Sequence, residues 1–213
     1  IHMLLDGDDH SADEVERRIR VLSMAARSVV PRFFETVSSA LLSRRRLELV
    51  HYSRERDEET KREVSPQRLV HYRDNWYLDT WCHLRRGLRS FAVDGCRRVT
   101  VSSKPAREIP TEILDEELGS GYGIFAGAKT RKATLRFSPR RARWVASEQW
   151  HSRQCGHYDE HGYYVLELPY SDERELLMDI LKFGADVEVV APKSLREAVK
   201  TAAEHTVNLY RNA

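Results

Sequence analysis

The tetrapeptide Asn75-Trp76-Tyr77-Leu78 decides how this sequence is interpreted. It places an aromatic pair inside a strand-like stretch. The run LRRGLRSFAVD at residues 84–94 follows it and indicates a second strand, rich in arginine. Arginine side chains beside flat rings suit ligands that are anionic and also carry flat rings. The pattern therefore points to nucleotides or single-stranded nucleic acid as ligands.

The segments around this tetrapeptide stand in a recognisable order. A strand that ends near Tyr52 is followed by the run REVSP at residues 62–66, by the tripeptide WYL, by the run RSFAVD and by the basic tail Arg97-Arg98-Val99. This order resembles the WYL-domain family of bacterial transcriptional regulators over residues 45–107. The resemblance implies a small Sm-like barrel for this segment.

One position departs from the family pattern. In the family, the aspartate that corresponds to Asp94 is usually followed by arginine, whereas Gly95 stands here. Either Arg97 or Arg98 replaces the lost charge, or the contact with the ligand is changed.

The resemblance extends to both ends of the chain. Trp144, Trp150-His151, Gly184 and Pro192-x-x-Leu195 resemble the C-terminal extension that commonly follows a WYL domain. The family also typically carries an N-terminal winged helix-turn-helix, and no recognition helix is visible before Ser11. His2-Met3 is typical of the remnant of a cleaved expression tag. We therefore expect residues 1–10 to be disordered and the winged helix-turn-helix to be missing upstream.

Charge is distributed unevenly along the chain. Lys and Arg total 35 and Asp and Glu total 33 in 213 residues, so the net charge of +2 does not by itself demand a polyanionic partner. Residues 85–107, however, contain seven basic residues and one acid, and residues 129–153 contain eight and one. Charge segregated in this way attracts phosphates even when the net charge is small.

Cysteine usage and hydropathy limit the location of the protein. Cys82, Cys96 and Cys155 are odd in number and widely separated, which argues against a secreted disulfide framework and for the reducing cytoplasm. No apolar run approaches the roughly eighteen residues that span a bilayer. We expect a cytoplasmic protein without a membrane partner.

Two residue groups have side chains of the kinds found in metal or catalytic sites. Cys155-x-His157-x-x-x-His161 brings three metal-binding side chains together but lacks an obvious fourth ligand. Cys82 and His83 are adjacent, and adjacent residues of a strand point to opposite faces, so they make a poor nucleophile and base. We expect no metal, no cofactor and no catalytic residue.

The N-terminal segment, residues 11–44, is predicted to be helical. Apolar residues recur at spacings of three and four from Val15 to Val29, and Pro31 separates this helix from a second one that contains Phe34, Val37 and Leu41. Two short helices cannot hide these faces on a small barrel, so the segment is expected to act as a linker and a homodimer contact.

Residues 45–107 are predicted to form five short strands in a strongly bent barrel. A charged turn is expected from Arg54 to Lys61. The connector at residues 108–128 contains an acidic helix near 112–118 and a glycine-rich loop. That loop lacks the Lys-Ser/Thr pair of a phosphate-binding loop and is interpreted as a linker.

Residues 129–213 are predicted to have the element order βαββαβ followed by a helix. The second strand is placed at Gln149–Cys155 and the final helix at Lys193–Tyr210. This order predicts a ferredoxin-like sandwich. The chain is thus assigned to the α+β class, with linker helices, a small Sm-like barrel and a ferredoxin-like C-terminal domain.

Alternation along strands separates core from ligand residues. Trp76 and Leu78 are assigned to the core, which leaves Tyr77 on the opposite, ligand-facing side. His51 and Tyr52 are likewise expected to point opposite ways, whereas Arg89 and Phe91 share a face as a phosphate clamp beside a ring. The residues predicted to bind a nucleic-acid ligand are Tyr52, Ser53, Arg62, His71, Tyr77, Arg86, Arg89, Phe91, Arg97 and Arg98.

Two functions remain open from the sequence. The first is the effector-sensing and dimerising region of a regulator, which binds single-stranded DNA and controls operator DNA binding by the missing N-terminal domain. Single-stranded DNA is preferred to RNA or a cyclic oligonucleotide because two extended basic stretches suit a polymer. The alternative is a nucleotide-processing enzyme, which needs clustered carboxylates for metal ions, whereas the acids at 115–117 lie on a surface helix.

Overall fold

The computed structural model describes residues 32–119, 122–123 and 130–211, which form two antiparallel sheets and five helices. The predicted α+β class is confirmed. The first predicted helix, between Ser11 and Pro31, and the predicted disorder of residues 1–10 lie outside the described residues. No helix in the described part of the chain is both long and apolar enough to cross a membrane.

The N-terminal sheet contains five strands in the order β4-β3-β2-β1-β5, and all neighbouring strands are antiparallel. A short helix precedes it, and the three-residue 3₁₀ turn Val93–Gly95 joins its last two strands. The elements are α1 (Phe34–Leu42), β1 (Arg45–Ser53), β2 (Glu58–Tyr72), β3 (Asn75–Cys82), β4 (Gly87–Ala92) and β5 (Cys96–Pro105).

The core of this sheet follows from alternation along β1. Leu47 and Leu49 are buried, whereas Glu48 between them is exposed. Leu47 lies opposite Val64 of β2, and Leu78 of β3 belongs to the same cluster. Helix α1 covers this face with buried Val37, so its predicted apolar side packs on the sheet. Burying each such side chain contributes about 1.5–3 kcal/mol.

The connector contains α2 (Thr111–Leu118), where the sequence predicts an acidic helix. Asp115 of this helix pairs with Arg68 of β2, and the same guanidinium contacts the buried carboxylate of Asp79 at 2.7 Å. Leu114 is buried. The connector therefore packs against the N-terminal sheet.

The C-terminal sheet has the strand order β7-β8-β6-β9, again with antiparallel neighbours. Ser138 and Asp172 cap two of its helices by accepting backbone N–H groups. The predicted element order is observed. The elements are β6 (Arg131–Phe137), α3 (Pro139–Val145), β7 (Cys155–Tyr158), β8 (Tyr164–Tyr170), α4 (Glu173–Leu181), β9 (Val187–Ala191) and α5 (Lys193–Arg211).

The prediction was wrong for the second strand of this sheet. The segment 149–154 is a loop, and β7 begins only at Cys155. Trp150 leaves the sheet and packs its ring against Phe137 and Phe183, with centroids 5.6 and 5.7 Å away. An apolar side chain that packs into the core from a loop looks the same in the sequence as one in a strand, which explains the wrong prediction.

Strand β2 is strongly bent. Its 15 residues would extend about 50 Å if the strand were straight. The turns at its two ends nevertheless reach the same helix, because Glu55 pairs with Arg174 and Arg73 pairs with Asp179. Arg174 and Asp179 are separated by about 7.5 Å along the axis of α4. The bend accompanies a register shift in the β2–β3 pairing.

The bend does not close the sheet into a barrel. Within the described residues, the edge strands β4 and β5 are not paired with each other, and the 3₁₀ turn Val93–Gly95 joins them in sequence. The described residues thus form a curved five-stranded sheet in which no closed barrel is found, and the Sm-like assignment stays a prediction.

Candidate functional site

Six of the ten predicted ligand residues line one cavity of about 530 Å³ on the N-terminal sheet. The end of β1, the β1–β2 turn, the middle of β3 and the edge strand β4 form its walls. The six residues are Tyr52, Ser53, Arg62, Tyr77, Arg89 and Phe91.

Sequence reasoning missed the other eight lining residues, and four of these are histidine or arginine: His51, Arg54, Arg56 and Arg85. Arg54 and Arg56 belong to the charged β1–β2 turn, which the sequence identifies only as a turn. Their spacing is the signal that could have suggested a shared site, because residues two apart can project their side chains from the same side of a tight turn. Arg85 lies in the β3–β4 turn.

The cavity contains more positive charge than its own carboxylates can balance. Arg56, Arg62, Arg85 and Arg89 form no ion pair with any described residue. Arg62 and Arg89 donate to backbone carbonyls of Lys61 and Leu88 at 3.0 and 2.6 Å. Charges of one sign that line a concave surface focus the field and concentrate counter-ions there. An anionic ligand satisfies this arrangement.

Glu55 is the carboxylate that lines the cavity, and it is engaged elsewhere. Arg174 of α4 approaches its Oε2 atom to 2.7 Å. Arg174 also pairs with Asp172 at 2.9 Å, so Glu55 shares this cation with a second carboxylate, and none of the four unpaired cavity arginines is held by Glu55.

Three half-buried rings stand beside these arginines. Tyr52, Tyr77 and Phe91 each leave part of the ring open to the cavity. The Tyr52 hydroxyl donates to Asp57 at 2.7 Å, and this bond raises the pKa of Tyr52, so the hydroxyl stays protonated. The guanidinium of Arg97 lies over the Tyr52 ring, 4.8 Å from its centroid. Rings next to guanidinium groups provide stacking surfaces together with phosphate contacts.

His51 also faces the cavity, contrary to the alternation argument. The β1–β5 pairing has a register shift between Val50 and His51, with Arg97 as the extra residue on β5, and His51 and Tyr52 both line the cavity. The His51 ring meets Phe91 edge to face at 5.1 Å, and its Nε2 atom donates to the Ala92 carbonyl at 3.2 Å. Burial lowers the pKa of His51, so the ring is neutral at pH 7.

The position after Asp94 is explained by His51 and Arg54. A Cβ atom on Gly95 would lie 2.7 Å from His51 Nε2, so a side chain at this position collides with the histidine. Arg54 donates to both carboxylate oxygens of Asp94, at 3.3 and 3.0 Å. The guanidinium beside Asp94 thus comes from the β1–β2 turn, and the replacement of the family arginine by Arg97 or Arg98 stays a prediction.

Four predicted ligand residues do not line this cavity. Exposed His71 stacks near Trp76, with ring centroids 4.8 Å apart. Arg86 occupies the β3–β4 turn with a φ of 49°. Arg97 lies at the rim over Tyr52 and within 3.7 Å of Glu59. Arg98 lines a different, neighbouring cavity.

The two residues assigned to the core lie on the far side of β3. Leu78 is buried, and Trp76 packs against this core cluster, with Phe34 of α1 5.0 Å from its ring. Tyr77 between them turns to the cavity. The alternation of β3 thus separates core and cavity as the sequence suggests.

The described ranges contain no group of three or more His, Cys, Asp or Glu side chains placed to hold a metal ion. Ser65 Oγ lies 2.9 Å from His83 Nε2, but Ser65 is fully buried and also accepts the Arg107 amide N–H. This serine is closed to substrates and ties β2 to the connector.

Family models match both halves of the chain. The WYL domain matches residues 32–101 and the WCX domain matches residues 129–207. The chain therefore contains a WYL domain followed by a WCX domain, and it belongs to the WYL-domain bacterial transcriptional regulators.

Particular relatives are found in several bacteria. Protein PafC of Mycobacterium tuberculosis is 29% identical over 178 residues, which cover 83% of this chain and 54% of the relative. The uncharacterized HTH-type transcriptional regulator YobV of Bacillus subtilis is 25% identical over 153 residues, which cover 70% of this chain and 47% of that protein. The chain spans about half the length of these curated relatives.

Two solved structures are among the matches to this chain. A CRISPR Cas-related protein has a TM-score of 0.53 at 11% identity, with 84% of this chain and 51% of that chain covered. This likeness concerns the fold alone. The proteasome accessory factor B/C (PafBC) of Arthrobacter aurescens has a TM-score of 0.38 at 24% identity and covers 84% of this chain and 27% of that chain.

Proposed function

We propose that this chain is the effector-sensing and dimerising region of a bacterial transcription regulator, and that its WYL cavity binds single-stranded DNA. One observation carries the proposal: four arginines without a described carboxylate partner stand beside three partly open aromatic rings. The arginines match phosphates and the rings match unpaired bases.

Single-stranded ligands fit this cavity better than a duplex. Bases stack on Tyr77 or Phe91 only when they are not already stacked on neighbours inside a double helix. A duplex would present phosphates to the arginines and leave the rings unused. RNA and cyclic oligonucleotides offer the same two chemical groups and are the competing ligands. An enzymatic role finds little support, because the carboxylate in the cavity, Glu55, is held by Arg174.

The regulatory part of the proposal concerns the whole protein. The name of the relative YobV supports operator binding by a helix-turn-helix segment outside residues 1–213. Dimer contacts through residues 11–44 and the C-terminal sheet would place two such segments on a two-fold operator. Effector and operator binding are then linked reciprocally. The strand orders agree with an Sm-like sheet and a ferredoxin-like sandwich, and both assignments belong to the proposal.

A binding titration tests the ligand. Fluorescence anisotropy with the full chain would compare single-stranded DNA, RNA and duplex DNA of equal length with a cyclic dinucleotide, over a range of salt concentrations. We expect single-stranded DNA to bind tightest. Arg62→Ala combined with Arg89→Ala should weaken it, whereas Lys200→Ala on exposed α5 should not. Equal or tighter binding of the duplex, or of the cyclic dinucleotide, would contradict the proposed ligand.

Sedimentation equilibrium tests the dimer. A monomer has a mass of 24.8 kDa, and we expect about twice this value at micromolar concentration. A monomer mass both with and without single-stranded DNA would rule out the dimer and the linkage built on it.

A further inference from the structure

A second cavity of about 630 Å³ adjoins the first on the N-terminal sheet. The two cavities share Arg62, which lines both. The β3–β4 turn also belongs to both, because Leu84 lines the second cavity and Arg85 lines the first. Arg62 and this turn therefore form the junction between two adjoining concave surfaces.

The second cavity is basic, and its cations come from both sides of β1. Lys61 of β2 and Arg98 of β5 both lie opposite Val50, one on each neighbouring strand. Two interstrand spacings place their backbones about 10 Å apart. Both side chains are exposed, and neither forms an ion pair with any residue that the structure describes. They are free to contact a ligand that crosses β1.

The acids of this cavity do not cancel these cations. Lys104 approaches Glu63 Oε1 to 2.9 Å, and Arg46 lies 3.6 Å from the same atom. The hydrogen bond from Lys104 lowers the pKa of Glu63, so its charge is present but already balanced. Glu48 also lines the cavity, and its one negative charge compares with the three positive charges of Lys61, Arg62 and Arg98.

The two cavities differ in one chemical respect. The lining of the second contains His83 and the exposed Leu84 but no Phe, Tyr or Trp side chain. It can therefore contact phosphates but provides no large ring for stacking. The first cavity supplies both kinds of contact.

We infer that the second cavity is a backbone-binding extension of the first, so that the effector is a linear oligonucleotide that occupies both. This inference rests on the proposed function and narrows its ligand class. Bases stack in the first cavity, the chain passes Arg62, and its following phosphates meet Lys61 and Arg98. A mononucleotide or a cyclic dinucleotide fills the first cavity alone.

A length series tests this extension. Thymidine oligonucleotides of two and ten residues would compete with a labelled decamer for the full chain. We expect the decamer to bind at least tenfold more tightly than the dinucleotide. The double variant Lys61→Ala, Arg98→Ala should weaken decamer binding about tenfold and shallow its salt slope by about 1.4, which corresponds to two phosphate contacts on a single strand. Dinucleotide affinity should stay unchanged.

Controls separate the possible failures. Both substituted residues are exposed, and an unchanged urea midpoint would show that the double variant folds. Lys200→Ala should bind both oligonucleotides as the parent does. Equal affinity for dinucleotide and decamer, or a double variant that keeps parental decamer affinity, would overturn the extension and leave the first cavity intact. A parent chain that binds no oligonucleotide would overturn the proposed function and this inference together.

Discussion

Strand β6 of the C-terminal sheet and the cavity of the N-terminal sheet are both rich in basic side chains, but they use them differently. On β6, Arg136 lies 2.8 Å from Asp159 and 3.8 Å from the Tyr163 ring centroid. Lys132 lies 2.9 Å from Glu167, and Arg131 lies over the Tyr170 ring. In the cavity, four arginines form no ion pair within the described part of the chain.

The difference shows that charge density along a sequence does not measure binding capacity. Residues 129–153 have the larger basic excess in the sequence, and yet the cations of β6 are neutralised by their own domain. A ligand at β6 would have to displace carboxylates that are already in place. An anionic ligand in the cavity would instead neutralise arginines that pair with no described carboxylate.

The largest expected effect concerns a structural carboxylate of the C-terminal domain. Asp179 is 5% exposed and accepts hydrogen bonds from Arg73, Tyr122 and Lys182 at 2.6, 2.5 and 2.9 Å. Asp179→Ala leaves the Tyr122 hydroxyl without its acceptor and should cost about 3 kcal/mol of unfolding free energy. Urea denaturation measures this. Glu160→Ala, at an 86% exposed side chain, is the control and should change nothing.

Acid unfolding gives the same carboxylate a second test. Burial alone would raise the pKa of Asp179, but the hydrogen bonds from Tyr122 and Lys182 and the charge of Arg73 outweigh it and hold the pKa below 3.8. The stabilisation is therefore present above about pH 4 and is lost as the pH falls below that value. Asp179→Asn should flatten this part of the stability curve. A variant curve parallel to that of the parent would contradict the assignment.

The second largest effect is expected when a negative charge is added to the positively charged cavity. Thr60 lines it two residues from Arg62. Thr60→Glu adds a carboxylate that can pair with the open arginines and repel phosphates, and should weaken single-stranded DNA binding about thirtyfold. Thr60→Gln introduces a side chain of nearly the same size as glutamate but without the charge, and it should retain most of the affinity. Equal losses in the two variants would show that shape matters here instead of charge.

A smaller effect compares one arginine from each region. Arg89→Ala should weaken binding about sixfold and shallow the salt slope by about 0.7, the value for one contact with a single strand. Because Arg89 forms no ion pair with a described residue, its removal should change stability by less than about 0.5 kcal/mol. Arg136→Ala should show the opposite pattern, with parental binding and reduced stability. Anisotropy and urea titrations of both variants decide between the patterns.

The smallest effect depends on pH. Burial lowers the pKa of His51, and the nearby charges of Arg54 and Arg62 act in the same direction, whereas the Ala92 carbonyl and Asp94 oppose them. Because the pKa lies below 6.5, the ring gains its positive charge as the pH falls below that value, and affinity for a thymidine oligonucleotide should rise about threefold between pH 7.5 and 5.5. His51→Gln should abolish most of this rise. An undiminished rise would assign it to another group.

Local patterns predicted most of the elements but not the composition of the cavity. Alternation in β3 separates Trp76 and Leu78 from Tyr77, because that strand is regular. The same rule fails at His51, since a register shift depends on pairing with β5, a distant segment. Arg54, Arg56 and Arg85 line one cavity although they come from two different turns. These are long-range properties, which spacing along the chain does not contain.

The contacts between Arg73 and Asp179 and between Glu55 and Arg174 bear on how such proteins can be recombined. Both loops that these pairs hold belong to the WYL half, and one of them carries cavity residues. A chimera that joins this WYL domain to a foreign WCX domain therefore keeps the rim of its cavity only if the donor supplies the counterparts of Arg174 and Asp179. The WYL and WCX domains are separate matches along the sequence, but the rim of the cavity depends on side chains from both of them.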